Sequence, residues 1–503
     1  MSTPPPLPST ESRLHPLSWL FVLIQQLKQF VLPLIAVVVF GGRSAGGDLW
    51  AWIGPLVAVG VLVILAVIHY FTFRYRTGAD SLTIRSGWLH RSVREIPFAR
   101  IHNVVVHQSL LHRLFGVAEV RLESAGGQKP EAEMRVLGLS AATQLENLIR
   151  NRGAAMPTAN GAAGADEPAS DVLLALSTPE ILRLGLISNR GLVIVAAAFG
   201  VAWQMLPDRM MADLVERYAR EAFGYASHLH WSWVGAVGTA AGALLAALLL
   251  TRVLSIIQSL LQFHGFRLTE SGRRLMVERG LLARVRSSVS RRRIQAWTVR
   301  ENPLHRWFHR RTLRIDTAVA QGSGDERALK ILAPIATPER CDHLIAHLLP
   351  GMSWPPAHWR QWPGHIVWRL WWPSLAWSLL WAGVGAAAWS TWALWLLAWP
   401  VAALYVARRN AQRAGYALDD RLVAVRGGGW SRWWRFAEID KLQALRLTRS
   451  PMDHWCGTAT LWLDTAGDHG LAPPLRLRFL QVDDATRMQS QLADALSRRR
   501  LRW

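Results

Sequence analysis

The chain has almost no cysteine: Cys341 and Cys456 are the only two in 503 residues, and they lie far apart. That rules out a disulfide framework and leaves no C-x-x-C pair for a metal. Lysine is nearly missing as well. Lys28, Lys129, Lys330 and Lys441 are the whole set, so the formal charge of +22 is an arginine charge. No G-x-S-x-G, Walker loop, H-E-x-x-H or dinucleotide fingerprint occurs, and "RGGGW" at 426–430 lies between two strands rather than opening a helix. The acids Glu95, Glu123, Asp316, Glu438 and Asp464 stand singly on expected strands and form no pair for general acid–base work. His102, His107 and His112 are spaced by fives with no nearby Cys, and with His305 and His309 they read as ordinary strand and turn residues rather than metal ligands. No enzyme activity and no cofactor is expected.

What the sequence does have is an unusual mixture. It is 51% hydrophobic with 27 Trp and yet strongly basic, which fits apolar spans in a bilayer beside basic segments that face anionic lipid. The polar start "MSTPPPLPSTESRLHP" (1–16) carries no short apolar segment with a cleavage site, so the first apolar run reads as retained. Apolar runs come in pairs: Leu17–Phe40 with Ala51–Phe73, Gly191–Leu206 with Trp231–Phe263, and Leu370–Ala407, which holds either two spans with a tight turn or a re-entrant hairpin. "PEILRLGLISNR" before the second pair reads as an amphipathic helix at the interface. About six membrane helices in three pairs (17–73, 171–263, 351–407) are therefore expected. The loops between paired runs are poor in cations and the other segments rich, which places both termini in the cytoplasm.

The segments between the pairs, 74–152, 264–350 and 408–503, repeat one pattern. "REIPFARIHNVVVHQSLLHRLFG" (94–116) returns 193 residues later as "SSVSRRRIQAWTVRENPLHRWFH" and more faintly as "RFAEIDKLQALRLTRSPMDHWCG" (435–457). Short alternating runs such as "SLTIRSGWL" and "AEVRLESAG" predict half-buried strands. Ser140, Thr337 with Pro338, and Asp483 or Asp484 open a closing amphipathic helix in each unit. The segment 153–170 reads as a linker. In the first unit Ile101 and Leu114 are expected in the core.

The order "LTIRSGWL…REIPFARIHNVVVHQSLLHRLFGVAEVRLESAGG", with Gly87, Ile96-Pro97, Arg100-Ile101, Ser109 and Leu114-Phe115-Gly116, resembles the membrane-bound bacterial pleckstrin-homology (YdbT-like) domain family. The second copy departs from the pattern at Ser290 and His309, and the third keeps Gly428, Lys441-Leu442-Gln443 and Gly457. The resemblance implies helix pairs, each followed by a cytoplasmic PH-like barrel or sandwich with a C-terminal helix, in a bacterial inner membrane. It brings no catalytic residues.

Arginine clusters are the remaining functional candidates. Arg284, Arg286, Arg291, Arg292 and Arg293 are dense in the second unit, joined by Arg306, Arg310, Arg311 and Arg314. Near anionic lipid each cation gains about 1 kcal/mol, so such a cluster either holds a domain on headgroups or only enforces topology. Nucleic acid is excluded as a partner by the tether to a membrane. The expected role is a scaffold or adaptor for anionic lipid and for another protein (a small single-PH-domain membrane protein or a second copy), in envelope stress or antimicrobial resistance. The alternative is a transporter or lipid-moving protein, which would need polar groups inside the spans; Lys28 and Arg252 are the visible ones.

Overall fold

A computed structural model describes residues 12–24 and 57–87 in large part, then 91–124, 132–152, 171–205, 216–217, 232–317, 330–364, 366–388, 391–466 and 472–498. Three units of one build follow each other. The first comprises β1 (Ser12–Arg13), β2 (Arg74–Thr77), β3 (Ser81–Ser86) and β4 (Ser92–Pro97), then β5 (Ile101–Gln108), β6 (Val117–Ser124) and β7 (Ala132–Gly138). The second comprises β8 (Asp171–Ala175), β9 (Arg267–Ser271), β10 (Arg274–Arg279) and β11 (Arg284–Ser290), then β12 (Ile294–Glu301), β13 (Arg311–Thr317) and β14 (Ile331–Ala336). The third comprises β15 (Arg360–Gln361), β16 (Gly415–Leu418), β17 (Leu422–Gly427) and β18 (Arg432–Glu438), then β19 (Leu442–Thr448), β20 (Thr458–Thr465) and β21 (Arg476–Gln481).

Alternation sets which side of each strand faces in: on β3, Leu82 and Ile84 are buried while Arg85 is exposed, as a period of two requires. A single turn of 3-10 helix (Phe98–Arg100, Arg291–Arg293, Ile439–Lys441) separates the fourth strand of each unit from the fifth. The two groups of strands share one core, closed by a terminal helix. In Leu139–Arg152 that helix buries Ala142, Leu145 and Ile149. In Val482–Ser497 it buries Ala485, Met488 and Leu492. The spacing of three and four is that of a helix with one apolar stripe. In the second unit Thr337 Oγ1 accepts from the backbone N–H of Arg340, and Pro338 takes the first helical position.

The sheets do not respect the unit boundaries. The four strand ladders contain four, seven, seven and three strands, in the orders β1-β2-β3-β4, β7-β6-β5-β11-β10-β9-β8, β14-β13-β12-β18-β17-β16-β15 and β19-β20-β21. Each unit's fifth strand is hydrogen-bonded to the next unit's fourth. The first seam pairs Arg284 with Gln108 through Ser288 with Val104. The second pairs Arg432 with Glu301 through Phe436 with Trp297. At the second seam Arg435, 0% exposed, meets Asp316 at 2.8 Å. Trp297 stacks on Phe436 there, and Lys441 Nζ donates to the Arg292 carbonyl. One core cluster runs through the seam from Leu313 to Ala424 and Phe436.

The expected six membrane helices are not what the described residues form. One helix is long and apolar enough to cross a bilayer, Ala240–Phe263 within Ser232–Phe263, with mean hydropathy 2.1 and little of it buried. A second is reached only if Thr178–Ile187 and Arg190–Val201, bent by 56° at Ser188-Asn189, count as one broken span. The first expected pair lies largely outside the described residues. The third breaks into Ile366–Ala388 with Pro373 inside it, a 3-10 helix Thr391–Ala398, and Trp399–Arg413, which ends among arginines. Counting uncharged residues overstated span length there because the run is rich in Trp, an interfacial rather than hydrocarbon-core residue. The helix expected at the interface, Thr178–Ile187, instead buries Ile181, Leu184 and Ile187 in the second core.

The bend is built around Arg252. Its Nη1 donates to the carbonyls of Leu186 and Ser188 at 3.0 and 3.1 Å and to Asn189 Oδ1 at 3.2 Å. Gly191 allows the contact, since a Cβ there would lie 1.8 Å from the Thr251 carbonyl oxygen. Arg252 thus caps a broken helix.

The Arg435–Asp316 pair supplies a test of the seam. Arg435→Met leaves a buried carboxylate without its counter-charge, which costs about 3–5 kcal/mol. The unfolding midpoint of the full chain in detergent should fall, and amide exchange should rise over 297–301 and 432–436. Adding Asp316→Leu should recover most of the loss; no recovery would mean the pair does not hold the seam.

Candidate functional site

Seven of the arginines singled out in the second unit do not converge on one face. Arg284 Nε lies 3.2 Å from Glu278. Arg286 reaches across the first seam to the buried Glu146 at 3.7 Å. Arg291 pairs with Glu270 at 2.7 Å and donates to the carbonyls of His347 and Leu348, finishing the closing helix. Its counterparts Phe98 and Ile439 are buried apolar residues, so Arg291 does by hydrogen bonding what they do by packing. Arg292 is exposed. Arg293 is half-buried, and desolvation together with Arg274 holds its guanidinium down to about 10. Arg310 grips both carboxylate oxygens of Glu180 at 2.7 and 3.0 Å. Arg311 meets Glu301 and Asp342 and lies over the Trp434 ring.

A different set of residues recurs in all three units. After its fifth strand each unit makes a short tip helix: Leu110–Leu114, Pro303–Trp307 and Pro451–Cys456. Ser109 caps the first, and Ser450 with Asp453 forms a full capping box on the third. The chain then turns through positive φ at Gly116 (64°), His309 (51°) and Gly457 (64°). His309 therefore keeps the turn that its departure from glycine put in question. At one equivalent position the tips expose a large apolar side chain: Leu114 at 76%, Trp307 at 78% and Trp455 at 78%. Leu114 is thus not a core residue as expected, whereas Ile101 is buried. A five-residue helix has a single inward face, and His112 occupies it.

Each tip sits beside the start of the apolar helix that precedes its unit's sheets. Phe21 packs on His112 and Phe115 at ring distances of 4.3 and 6.1 Å. In the second unit Arg310, just past the tip, holds Glu180 at the head of Thr178–Ile187. In the third, Arg369 of Ile366–Ala388 meets Asp453 at 2.9 Å and Thr458 at 2.8 Å, and Trp368 packs near Trp455. Burial works against the Asp453 carboxylate, but hydrogen bonds from Ser450, Thr458 and Arg369 outweigh it and hold its pKa well below the usual range.

The turn between the third and fourth strands lies by the helix that leads back into the sheets. Gly280 (φ 114°) opens it, its N–H and that of Leu281 donating to the carbonyls of His264 and Leu261 at the end of the membrane helix. In the third unit Trp430 lies by Tyr405 and Arg409 of Trp399–Arg413. Tips and turns are also linked across the seams: Arg113 donates to the Leu281 carbonyl at 3.0 Å, and Ser431 hydrogen-bonds Asn302. The result is one rim, half-apolar and arginine-rich, along the end of the molecule where the apolar helices leave. Repetition was the signal that could have found it, because Leu114, Trp307 and Trp455 share one slot in the three copies.

His112 and His305 also share a slot, and both are buried rather than solvated. His112 Nδ1 lies 2.6 Å from Ser109 Oγ, and His305 Nε2 lies 3.1 Å from Thr312 Oγ1. His107 lies 3.7 Å from Glu119. The side chain of His102 is outside the described residues. Among the described residues no three His, Cys, Asp or Glu side chains are grouped to hold a metal.

A family model described as Bacterial PH domain matches residues 22–153, 229–349 and 374–496. The chain is similar to the UPF0699 transmembrane protein YdbT of Bacillus subtilis (strain 168), with 23% identity over 367 residues that cover 68% of this chain and 70% of that protein. No solved structure matches.

Burial pushes the His305 imidazole down to about 4 from an ordinary 6.5. The folded chain keeps the ring neutral while the unfolded chain takes up a proton, so stability is full above pH 6.5 and is lost as pH falls toward 4. The shift corresponds to about 3 kcal/mol. Melting of the full chain between pH 7 and 4 should show this slope, and His305→Gln, which can still reach Thr312, should flatten it. An unchanged slope would place the acid sensitivity elsewhere.

Proposed function

The chain belongs to the bacterial PH domain family, and we propose that it is a non-enzymatic membrane scaffold whose rim rests on anionic lipid while its sheets present surfaces to protein partners. The observation that carries this reading is the single slot filled by Leu114, Trp307 and Trp455, each more than three-quarters exposed beside the start of an apolar helix. A Trp side chain buries about 150–250 Å², and at about 25 cal/mol per Å² each one placed in the headgroup region stabilises contact by on the order of several kcal/mol. Arg306 and Arg409 near the rim add attraction to phosphate, a chemistry to which the planar guanidinium is suited. Arginine crowded into the non-loop segments supports a cytoplasmic orientation in a bacterial inner membrane. The relative YdbT, described as a transmembrane protein, supports attachment to the membrane. The transporter alternative loses its main polar candidate, since Arg252 caps a helix break.

The test is depth measurement on the whole chain. With Cys341→Ser and Cys456→Ser as background, spin labels at W307C and W455C are compared in vesicles of phosphatidylcholine alone and with phosphatidylglycerol. Greater accessibility to oxygen than to a water-soluble nickel complex, increasing with the anionic lipid, is expected at both sites. Water-like accessibility at both would show that the rim does not touch the bilayer.

A further inference from the structure

We propose that the chain joins a second copy of itself head to tail, the outer edge of β19 in one copy pairing with the outer edge of β4 in the next. The inference is independent of lipid contact and begins with the strand ladders. Both seven-stranded sheets are the sum of three strands from one unit and four from the next, so the array necessarily ends in a four-stranded sheet edged by β4 and a three-stranded sheet edged by β19. These are the strands that form the seams elsewhere. The molecule thus ends in the two complementary halves of an interface it already makes twice.

The register of that interface is fixed. In both seams the residue just before or at the start of the fourth strand, Arg284 or Arg432, faces the end of the fifth, Gln108 or Glu301. Carried to the two ends, the same register sets Ser92 against Thr448, Val93 against Leu447, Arg94 against Arg446 and Glu95 against Leu445. Pro97, which has no N–H to give, falls outside the paired stretch, as do its counterparts Ser290 and Glu438.

Among the described residues, both edges are uncovered. Ser92, Val93, Arg94 and Glu95 are all exposed, Val93 at 62%, whereas the seam residues at the places of Arg94 and Glu95 are buried (Ser287 and Ser288 in one, Arg435 and Phe436 in the other). On β19, Gln443, Ala444 and Arg446 are exposed, while Val104, Val105, Trp297 and Thr298 at the corresponding strands are buried. An unpaired edge of this kind is a template for another strand.

The chemistry of the new seam also matches the old. Arg94 stands at the place of Arg435, and Asp464, opposite Ala444, stands at the place of Asp316, opposite Ala296. An arginine and an aspartate therefore recur between copies at the two places of the second seam's buried ion pair. Val93 facing Leu447 adds an apolar pair. Arg94 facing Arg446 and Arg91 near Arg449 oppose it, and like charges across a ladder are destabilising. The exposed part of that repulsion is screened by salt, so pairing between copies should increase with ionic strength. Because the seam repeats the internal one, the added copy keeps its tips and turns on the same rim.

Disulfide trapping in the full chain decides the matter. In the background with Cys341→Ser and Cys456→Ser, V93C with L447C should give inter-chain disulfides under mild oxidation, and a ladder of dimers and longer chains. V93C with T448C, one residue out of register and on the opposite face, should not. Raising the salt should strengthen the ladder, and Asp464→Lys should abolish it. A chain that stays monomeric at every salt concentration, or cross-links equally in both cysteine pairs, would overturn the proposal.

Discussion

Every strand edge exposes N–H and carbonyl groups that water or another strand must satisfy, and this chain answers by laying each unit's edge on the next. The two internal seams remove four edges at once. Their cost is that no unit is complete alone: the second unit's first sheet is continuous with β5, and its second with β18. Boundaries read from composition fall inside continuous ladders. The structural unit is therefore the whole array, and the alignment of the three tips follows from a backbone constraint.

The same arrangement redistributes charge. An arginine-rich sequence suggests an open cationic surface, yet Arg286, Arg291, Arg310, Arg311 and Arg435 are all engaged with acids, and those of Arg286, Arg310 and Arg435 are distant in sequence. Guanidinium suits this use because its planar fork serves a carboxylate and a backbone carbonyl together, as Arg291 and Arg310 do. What is left at the rim is a smaller cationic set mixed with Trp and Leu. That composition fits the boundary of a bilayer better than a polyanion in solution.

Much of this was legible in the sequence. Repetition at fixed offsets, alternation on strands such as β3, and the apolar stripes of the closing helices are local patterns, and each reappears in the fold. The seams were not legible, because an edge strand that pairs between units carries the same alternation as one that pairs within a unit. Arg310 and Glu180 are 130 residues apart, a distance no pattern encodes. Leu114 was misassigned to the core because an apolar residue in a helix of five residues gives no periodicity to read. In the third pair the helix count failed for a composition reason: tryptophan makes a run look apolar without making it fit for hydrocarbon.

One feature of each unit bears on how the chain is built. A short strand precedes the apolar helices and its partner follows them: β8 pairs with β9, Asp171 opposite Glu270, although nearly the whole helical excursion lies between. The two strands can meet only when the chain has come back to the side it left. The ladder is therefore a latch, fastening together the two ends of each helical segment once the chain has returned.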